Sequence, residues 1–170
     1  MSNWVAVWGR LDLFGASVLL AFLVAAVPAH AHGADHGLMP DTTLSPGPAI
    51  TIHRSANCGC CEQWSAHLAD AGFRIEDHVT EAIHEVKQEQ GITAEQASCH
   101  TAVVEGYVIE GHVPASSVQK LLTERPSIRG LAVPGMPMGS PGMEIEGGKA
   151  DHYNVIAIAH DGTTSVFERH

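Results

Sequence analysis

The stretch "SANCGCCEQW", Ser55 to Trp64, places three cysteines within four positions: Cys58, Cys60 and Cys61. It stands between two patterns of different period. Upstream, "AITIH" (Ala49 to His53) is short and β-branched and reads as a strand. Downstream, "CEQWSAHLADAG" spaces Trp64, Leu68 and Ala71 as a helix does, and Gly72 suits the stop. The cysteines therefore sit in a turn that opens a helix. There the free N–H groups and the helix dipole favour a thiolate, and thiol pKa values fall from about 8.5 to roughly 3.5–7.5. Cys58 and Cys61 form a C-x-x-C pair. Cys60 and Cys61 are neighbours, with Cα atoms about 3.8 Å apart across a trans peptide. An unstrained disulfide prefers roughly 4.4–6.8 Å, so a vicinal bridge is not expected. The motif can close one comfortable bridge, Cys58–Cys61, and leaves Cys60 over. Gly59 lets the turn bend tightly, which allows several sulfurs to converge on one point.

The pattern continues on both sides of this turn. "FRIEDHV" (Phe73 to Val79) alternates as a strand, and "EAIHEVKQEQG" (Glu81 to Gly91) reads as a helix that ends at its glycine. "TAEQ" (Thr93 to Gln96) resembles a capping box over one short turn. "TAVVEG" and "YVIEGH" read as two strands joined tightly near Glu105-Gly106. "PASSVQKLLTERP" reads as a helix with Val118, Leu121 and Leu122 on one face. "GLAVPGMPMGSPGMEIEGG" reads as a long Gly/Pro/Met loop. Asp161-Gly162 marks a closing hairpin. A βαβ unit followed by ββα, with a C-x-x-C after the first strand, is the layout of a thioredoxin-like α/β domain. The expected fold is a mixed central sheet flanked by helices. The C-terminal β-hairpin and the Met/Pro-rich loop are additions to that core.

The remainder of the 170 residues bounds the function. Residues 1–31 read as a cleaved secretory signal. Arg10 supplies the basic end, Leu13 to Pro28 the apolar run, and Ala29-His30-Ala31 the cleavage pattern. The run is shorter than the roughly 20 residues that span a bilayer, so membrane contact is expected only through this segment if it stays uncleaved. Residues 32–48 read as a flexible His/Gly/Pro leader, in which His32 and His36 could bind a metal loosely; a solvated tail is the plainer reading. The folded domain is then 49–170. A formal charge of −10 makes the chain a poor nucleic-acid binder, because phosphate contacts need Lys and Arg. Many histidines with four cysteines point instead toward metal. Export would also permit disulfides.

The fourth cysteine lies in "SCHTAVV", at the loop that enters the third strand. In a thioredoxin-like layout that loop borders the active turn, so Cys99 is expected to face the cysteine turn across a few ångströms, with His100 beside it. Three thiols plus one thiol and one imidazole make a soft site, suited to Cu(I), zinc or iron–sulfur chemistry. Met136, Met138 and Met143 lie in a Gly/Pro setting without helical or strand spacing. Thioethers suit Cu(I) and hardly ever serve zinc, so together the three favour copper. Packing of flexible methionines onto the domain is the plainer reading of each one. His53 and His112 flank strand ends, from which either could approach the site. His67 is expected to be exposed on the first helix, and His78, His84, His152 and His160 to be surface or structural. Trp64 reads as core packing or as a cover over the sulfurs.

Three functions compete on these residues. In the first, Cys58, Cys60, Cys61 and Cys99 bind Cu(I), with one or several ions bridged by thiolates. His100 and the methionines complete or shield the site, and a thiol pair can reduce Cu(II). In the second, a thiol–disulfide oxidoreductase acts on protein substrates, with Cys58 attacking and Cys61 resolving; Cys60 and the Met loop are then unexplained. In the third, zinc is held by Cys58, Cys61, Cys99 and His100 as a closed tetrahedron. Plain structural bridges, Cys58–Cys61 and Cys60–Cys99, are a further reading. Crowded cysteines staple poorly, because a disulfide gains more when it closes a longer loop.

"CGCCEQW", "SCHTAVVEGYVIEGHVPA" and "GLAVPGMPMGSPGME" together resemble the CopG-like family of exported metal-binding proteins found with bacterial copper-resistance systems. The resemblance covers about Ala49 to Phe167. It implies a thioredoxin-like fold, a periplasmic location and copper bound through a cysteine cluster. The family's C-x-C-C falls on Cys58, Cys60 and Cys61, and its Ser-Cys-His-Thr element on Cys99 and His100. Its Met-Pro loop falls on Met136, Met138 and Met143, and no departure occurs at these positions. The implied roles are copper sequestration and conversion of copper between its oxidation states. The implied partners are copper ions and other periplasmic copper-handling proteins.

Overall fold

A computed structural model describes residues 47–170. The expected signal segment, His32, His36 and nearly all of the leader lie outside the described residues. The elements are β1 (Ala49–Arg54), α1 (Gly59–Asp70), β2 (Arg74–Val79), α2 (Ile83–Glu89), β3 (Thr101–Val104), β4 (Tyr107–Gly111), α3 (Ala115–Glu124), β5 (Gly130–Val133), β6 (Asn154–Ile158) and β7 (Thr164–Arg169). The strands form one seven-stranded sheet in the order β2-β1-β3-β4-β5-β6-β7. Two neighbouring pairs, β1–β2 and β4–β5, run parallel and the others antiparallel. This is the expected thioredoxin-like α/β core with strands added at its C-terminal side.

One stretch departs from the sequence reading. Gly130 to Val133 is a strand, not the beginning of a loop, and all four residues are buried. Gly130 pairs with Val108, and a Cβ on it would stand 1.8 Å from the Val108 carbonyl oxygen. The glycine that looked like a loop marker is a close approach of two strands. β5 then pairs with β6, so the terminal hairpin continues the central sheet.

Alternation along the strands divides the core between two faces. Ile50, Ile52, Ala102, Val104, Ile109, Leu131 and Val133 meet Trp64 and Leu68 of α1 and Val118 and Leu121 of α3. Each large apolar side chain buried in this way contributes about 1.5–3 kcal/mol relative to exposure. Val108, Ala132 and Ile158 form a smaller cluster with Ile92 on the other face. There Lys87 of α2 reaches the sheet and donates to Glu110 at 2.6 Å and to Thr101 Oγ1 at 3.0 Å. Among the described residues no helix is long and apolar enough to cross a membrane.

Local signals end and turn the elements as read. Gly72, just past the C-cap Ala71 of α1, has φ +94°, and Gly91 beyond α2 has φ +68°. Thr93 N–H donates to Gln96 Oε1 at 3.0 Å, the reciprocal half of the capping-box pattern. Glu105 and Gly106 both take positive φ, 46° and 87°, as a two-residue hairpin turn requires. His67 is not free on the surface of α1. It is half-buried, and its Nε2 accepts the Ala115 N–H at 3.0 Å, satisfying an orphan donor at the start of α3.

Candidate metal centre

The cysteine turn leaves the end of β1, where Arg54 is buried and holds Asp77 of β2 at 2.7 Å and Glu62 of α1 at 3.1 Å. Cys58 is the N-cap residue of α1, and its carbonyl accepts from Cys61 N at 3.2 Å and Glu62 N at 3.3 Å. Cys58 and Cys61 are joined as a disulfide with Cα atoms 5.3 Å apart. Cys61 is fully buried and Cys58 half-buried. Cys60 and Cys99 are free. Cys60 is therefore the surplus thiol of the motif, as the neighbour geometry required.

Cys99 arrives from the loop that enters β3. Its Sγ lies 3.9 Å from Cys60 Sγ, which is itself 3.6 Å from Cys58 Sγ. All four sulfurs lie within 4.8 Å of one another. The loop is held in place from behind. Glu110 Oε1 accepts the Ser98 N–H at 2.6 Å while pairing with Lys87, and Glu110 Oε2 accepts from Thr101 Oγ1 at 2.6 Å. Ser98 Oγ donates to the Gly135 carbonyl, which ties the same loop to the Met/Pro segment.

A second set of donors shares Cys99. His100 Nδ1 stands 3.3 Å and His112 Nε2 3.0 Å from Cys99 Sγ, and these three atoms also lie within 4.8 Å of one another. His112 Nδ1 donates to the Pro141 carbonyl at 2.8 Å, so its Nε2 lone pair faces the sulfur. The His100 ring is fully buried and packs at a tilt of 38° against Trp64, 4.3 Å between centroids. Its Nε2 has no hydrogen-bond partner. Burial, then the neighbouring His112 and Lys87, hold His100 well below the usual histidine range, and burial lowers His112 as well. Burial, with Cys60 second, pushes the Cys99 thiol up to about 12. Both rings are thus neutral, with Cys99 a protonated thiol.

Cys58, Cys60, Cys61, Cys99 and His100 converge. His112 joins them, whereas His53 does not: it faces His78 across β1 and β2, ring centroids 5.3 Å apart. Trp64 fills the expected core role, since it is fully buried and donates to the Val113 carbonyl at 2.8 Å, and its ring packs against His100. The Met/Pro loop closes over the turn through its backbone. A Cβ on Gly142 would stand 2.6 Å from the Cys60 carbonyl oxygen and 2.9 Å from Trp64 N. Met143 and Met138 on this loop are half-buried, and Met136 is 53% exposed.

A signal for His112 was present in the sequence. Counting outward from the Glu105-Gly106 turn, Thr101 meets Glu110. The next pairs are His100 with Gly111, whose N–H donates to the His100 carbonyl at 3.1 Å, and Cys99 with His112. A hairpin with a two-residue turn fixes that register.

Comparison with known proteins follows the same residues. The family described as "Protein of unknown function, DUF411" matches residues 96–143, from the Cys99 loop through the Met/Pro segment. No curated protein matches the sequence. Two solved structures of a protein named "Copper resistance protein copG" are similar. Form 2 is 46% identical over 73% of this chain and 98% of its own, with a TM-score of 0.70. Form 1 is 47% identical over 72% of this chain and 96% of its own, with a TM-score of 0.68. With that identity over nearly the full length of the relative, the chain belongs to the family of copper resistance protein copG.

Proposed function

We propose that this chain is a periplasmic copper-handling protein that binds Cu(I) through Cys58, Cys60, Cys61 and Cys99 and interconverts Cu(I) and Cu(II). The convergence of four sulfurs within 4.8 Å of one another carries the reading. Thiolates are soft and suit Cu(I), and each can bridge two ions, which relieves repulsion among crowded sulfurs. The relatives named for copper resistance support copper over zinc. Met136, Met138 and Met143 sit on the loop that closes over the turn, where thioethers would shield or complete a Cu(I) site. The signal-like N-terminus supports export to the periplasm.

The redox step balances on the Cys58–Cys61 pair. Closing the disulfide breaks two S–H bonds, forms one S–S bond and releases two electrons and two protons. Those electrons convert two Cu(II) to two Cu(I). Cys60 and Cys99 remain as ligands. The test is anaerobic loading of the reduced protein with Cu(I) against a competing chelator. Retained copper is expected, and its loss in Cys60→Ser. Absence of retained copper in the unaltered protein would sink the reading.

One observation favours a second reading. Half-buried Cys58 at a helix N-terminus, bridged to buried Cys61, is the arrangement of an attacking and a resolving thiol in disulfide exchange. Insulin reduction discriminates: full activity in Cys60→Ser would favour thiol–disulfide exchange over copper.

A further inference from the structure

We propose that His53 and His78 form a metal site of their own, a pair of imidazoles on β1 and β2 that chelates one borderline divalent cation, Zn(II) or Cu(II). The inference uses none of the cysteines, and it stands or falls separately from the copper reading above. The sheet builds the pair. β1 and β2 run parallel, and His53 and His78 are partners in their register, so both side chains leave the same face. Ile50 and Ile52 point toward α1, and alternation puts His53 on the opposite face. Its other neighbour there is Thr101 of β3, whose hydroxyl accepts from Lys87 of α2. His53 is half-buried and His78 exposed, so one ring is held by its surroundings while the other is open to water.

Geometry and charge both suit a cation. Two imidazoles bound to one ion at about 2.0–2.1 Å have ring centres roughly 4.5–5.5 Å apart. Those of His53 and His78 stand 5.3 Å apart, with their planes inclined at 35°. The strands therefore need not move for the rings to share an ion. The charged residues of the same strand pair have partners of another kind. Asp77 takes Arg54 at 2.7 Å, and Glu76 takes Arg74 at 2.6 Å and the Thr51 hydroxyl at 3.2 Å. The histidines have each other, an arrangement that protonation of both would set in repulsion. Burial, then His78, hold His53 below the usual histidine range, and a neutral ring keeps the lone pair that a metal needs. Glu89, the last residue of α2, acts on His53 in the opposite sense. It lends negative potential to a cation held there, as does the formal charge of −10. Imidazole suits both Zn(II) and Cu(II), with Cu(II) the tighter in the general order. Binding moves no electron and releases no proton: each neutral ring donates a lone pair, and the ion gives up water.

The test titrates Zn(II) into the disulfide-closed protein and follows the histidine rings by nuclear magnetic resonance, since a diamagnetic ion leaves their signals visible. The His53 and His78 rings should shift along one saturation curve, with one ion for the pair. His53→Gln and His78→Gln should each lower the affinity read at the remaining ring by at least about tenfold, because the chelate gain goes with the first imidazole lost. Cu(II) should displace Zn(II) from the same two rings and broaden their signals. Cys60→Ser should lose Cu(I) retention yet leave the Zn(II) curve unchanged, which separates this site from the cysteine turn. Separate curves for the two rings would overturn the proposal. So would undiminished affinity at the remaining ring of either single variant, or loss of the response in Cys60→Ser. Should the histidine variants fail to fold, the coincidence of the two curves in the unaltered protein decides.

Discussion

Lys87→Met removes the cation that pairs with Glu110 beneath the Cys99 loop. Glu110 is fully buried, and its two oxygens accept from Lys87, Ser98 N–H and Thr101, each at 2.6 Å. The variant keeps the last two bonds and loses the charge partner. Leaving one member of a buried ion pair uncompensated costs about 3–5 kcal/mol. A domain of this size has about 5–15 kcal/mol in total, so the variant should still fold, with its melting temperature lowered by roughly 10–20 °C. The loss should depend on pH with a definite sign. Burial already raises the Glu110 carboxyl above 4.5 although Lys87 opposes the shift, and without Lys87 it rises further. The folded variant then takes up a proton that the unfolded chain does not hold. Its deficit is largest at neutral pH and shrinks as pH falls through the raised pKa, closing below 4.5, where both states are protonated. Denaturant unfolding of Lys87→Met, Glu110→Gln and the double variant at several pH values measures this. The double variant should recover most of the loss, because a neutral amide can still accept from Ser98 and donate to Thr101. A pH-independent loss, or a double variant no better than Lys87→Met, would refute the account.

Further outcomes follow from single contacts. Gly142→Ala adds a Cβ 2.6 Å from the Cys60 carbonyl oxygen at a φ of +83°; a cost of about 1–3 kcal/mol and faster alkylation of Cys60 and Cys99 are expected, both measurable on the disulfide-closed protein. Trp64→Phe leaves the Val113 carbonyl without its 2.8 Å donor and should lower stability by about 1–3 kcal/mol in chemical denaturation. Since burial pushes the Cys99 thiol up to about 12, a metal ion must displace its proton; affinity at this residue should rise about tenfold per pH unit between pH 6 and 8, and competition titrations showing a flat profile would count against Cys99 as a ligand.

Much of this architecture is legible because its signals are local. The period change around "CGCC", Gly72 and Gly91 as stops, and the Glu105-Gly106 turn each act within a few residues of the structure they set. The register of the hairpin is local too, and it carries Cys99 to His112. What escaped is non-local or ambiguous in kind. Gly130 to Val133 is too short to show a period, and its glycine is explained only by Val108 on the neighbouring strand. His67 serves an N–H that belongs to α3, 48 residues later. The Lys87–Glu110 pair joins a helix to a strand 23 residues away, and nothing in "EVKQE" or "YVIEG" distinguishes it from surface charge.

The position of Cys99 connects the two donor sets. It lies 3.9 Å from the surplus thiol of the turn and 3.0 Å from His112. Its Sγ therefore has sulfur neighbours on one side and imidazole nitrogens on the other. Oxidation of Cys58 and Cys61 removes two sulfurs from one side of Cys99 and leaves the two imidazoles on the other untouched. On the proposed reading, the number of thiolates open to Cu(I) would be coupled to the same electron pair that copper reduction would draw on. A two-cysteine turn lacks this coupling, because closing its disulfide leaves no thiolate behind. Cys60 and Cys99 are still free thiols when the disulfide of the turn is closed, which is what distinguishes "CGCC" from a plain C-x-x-C.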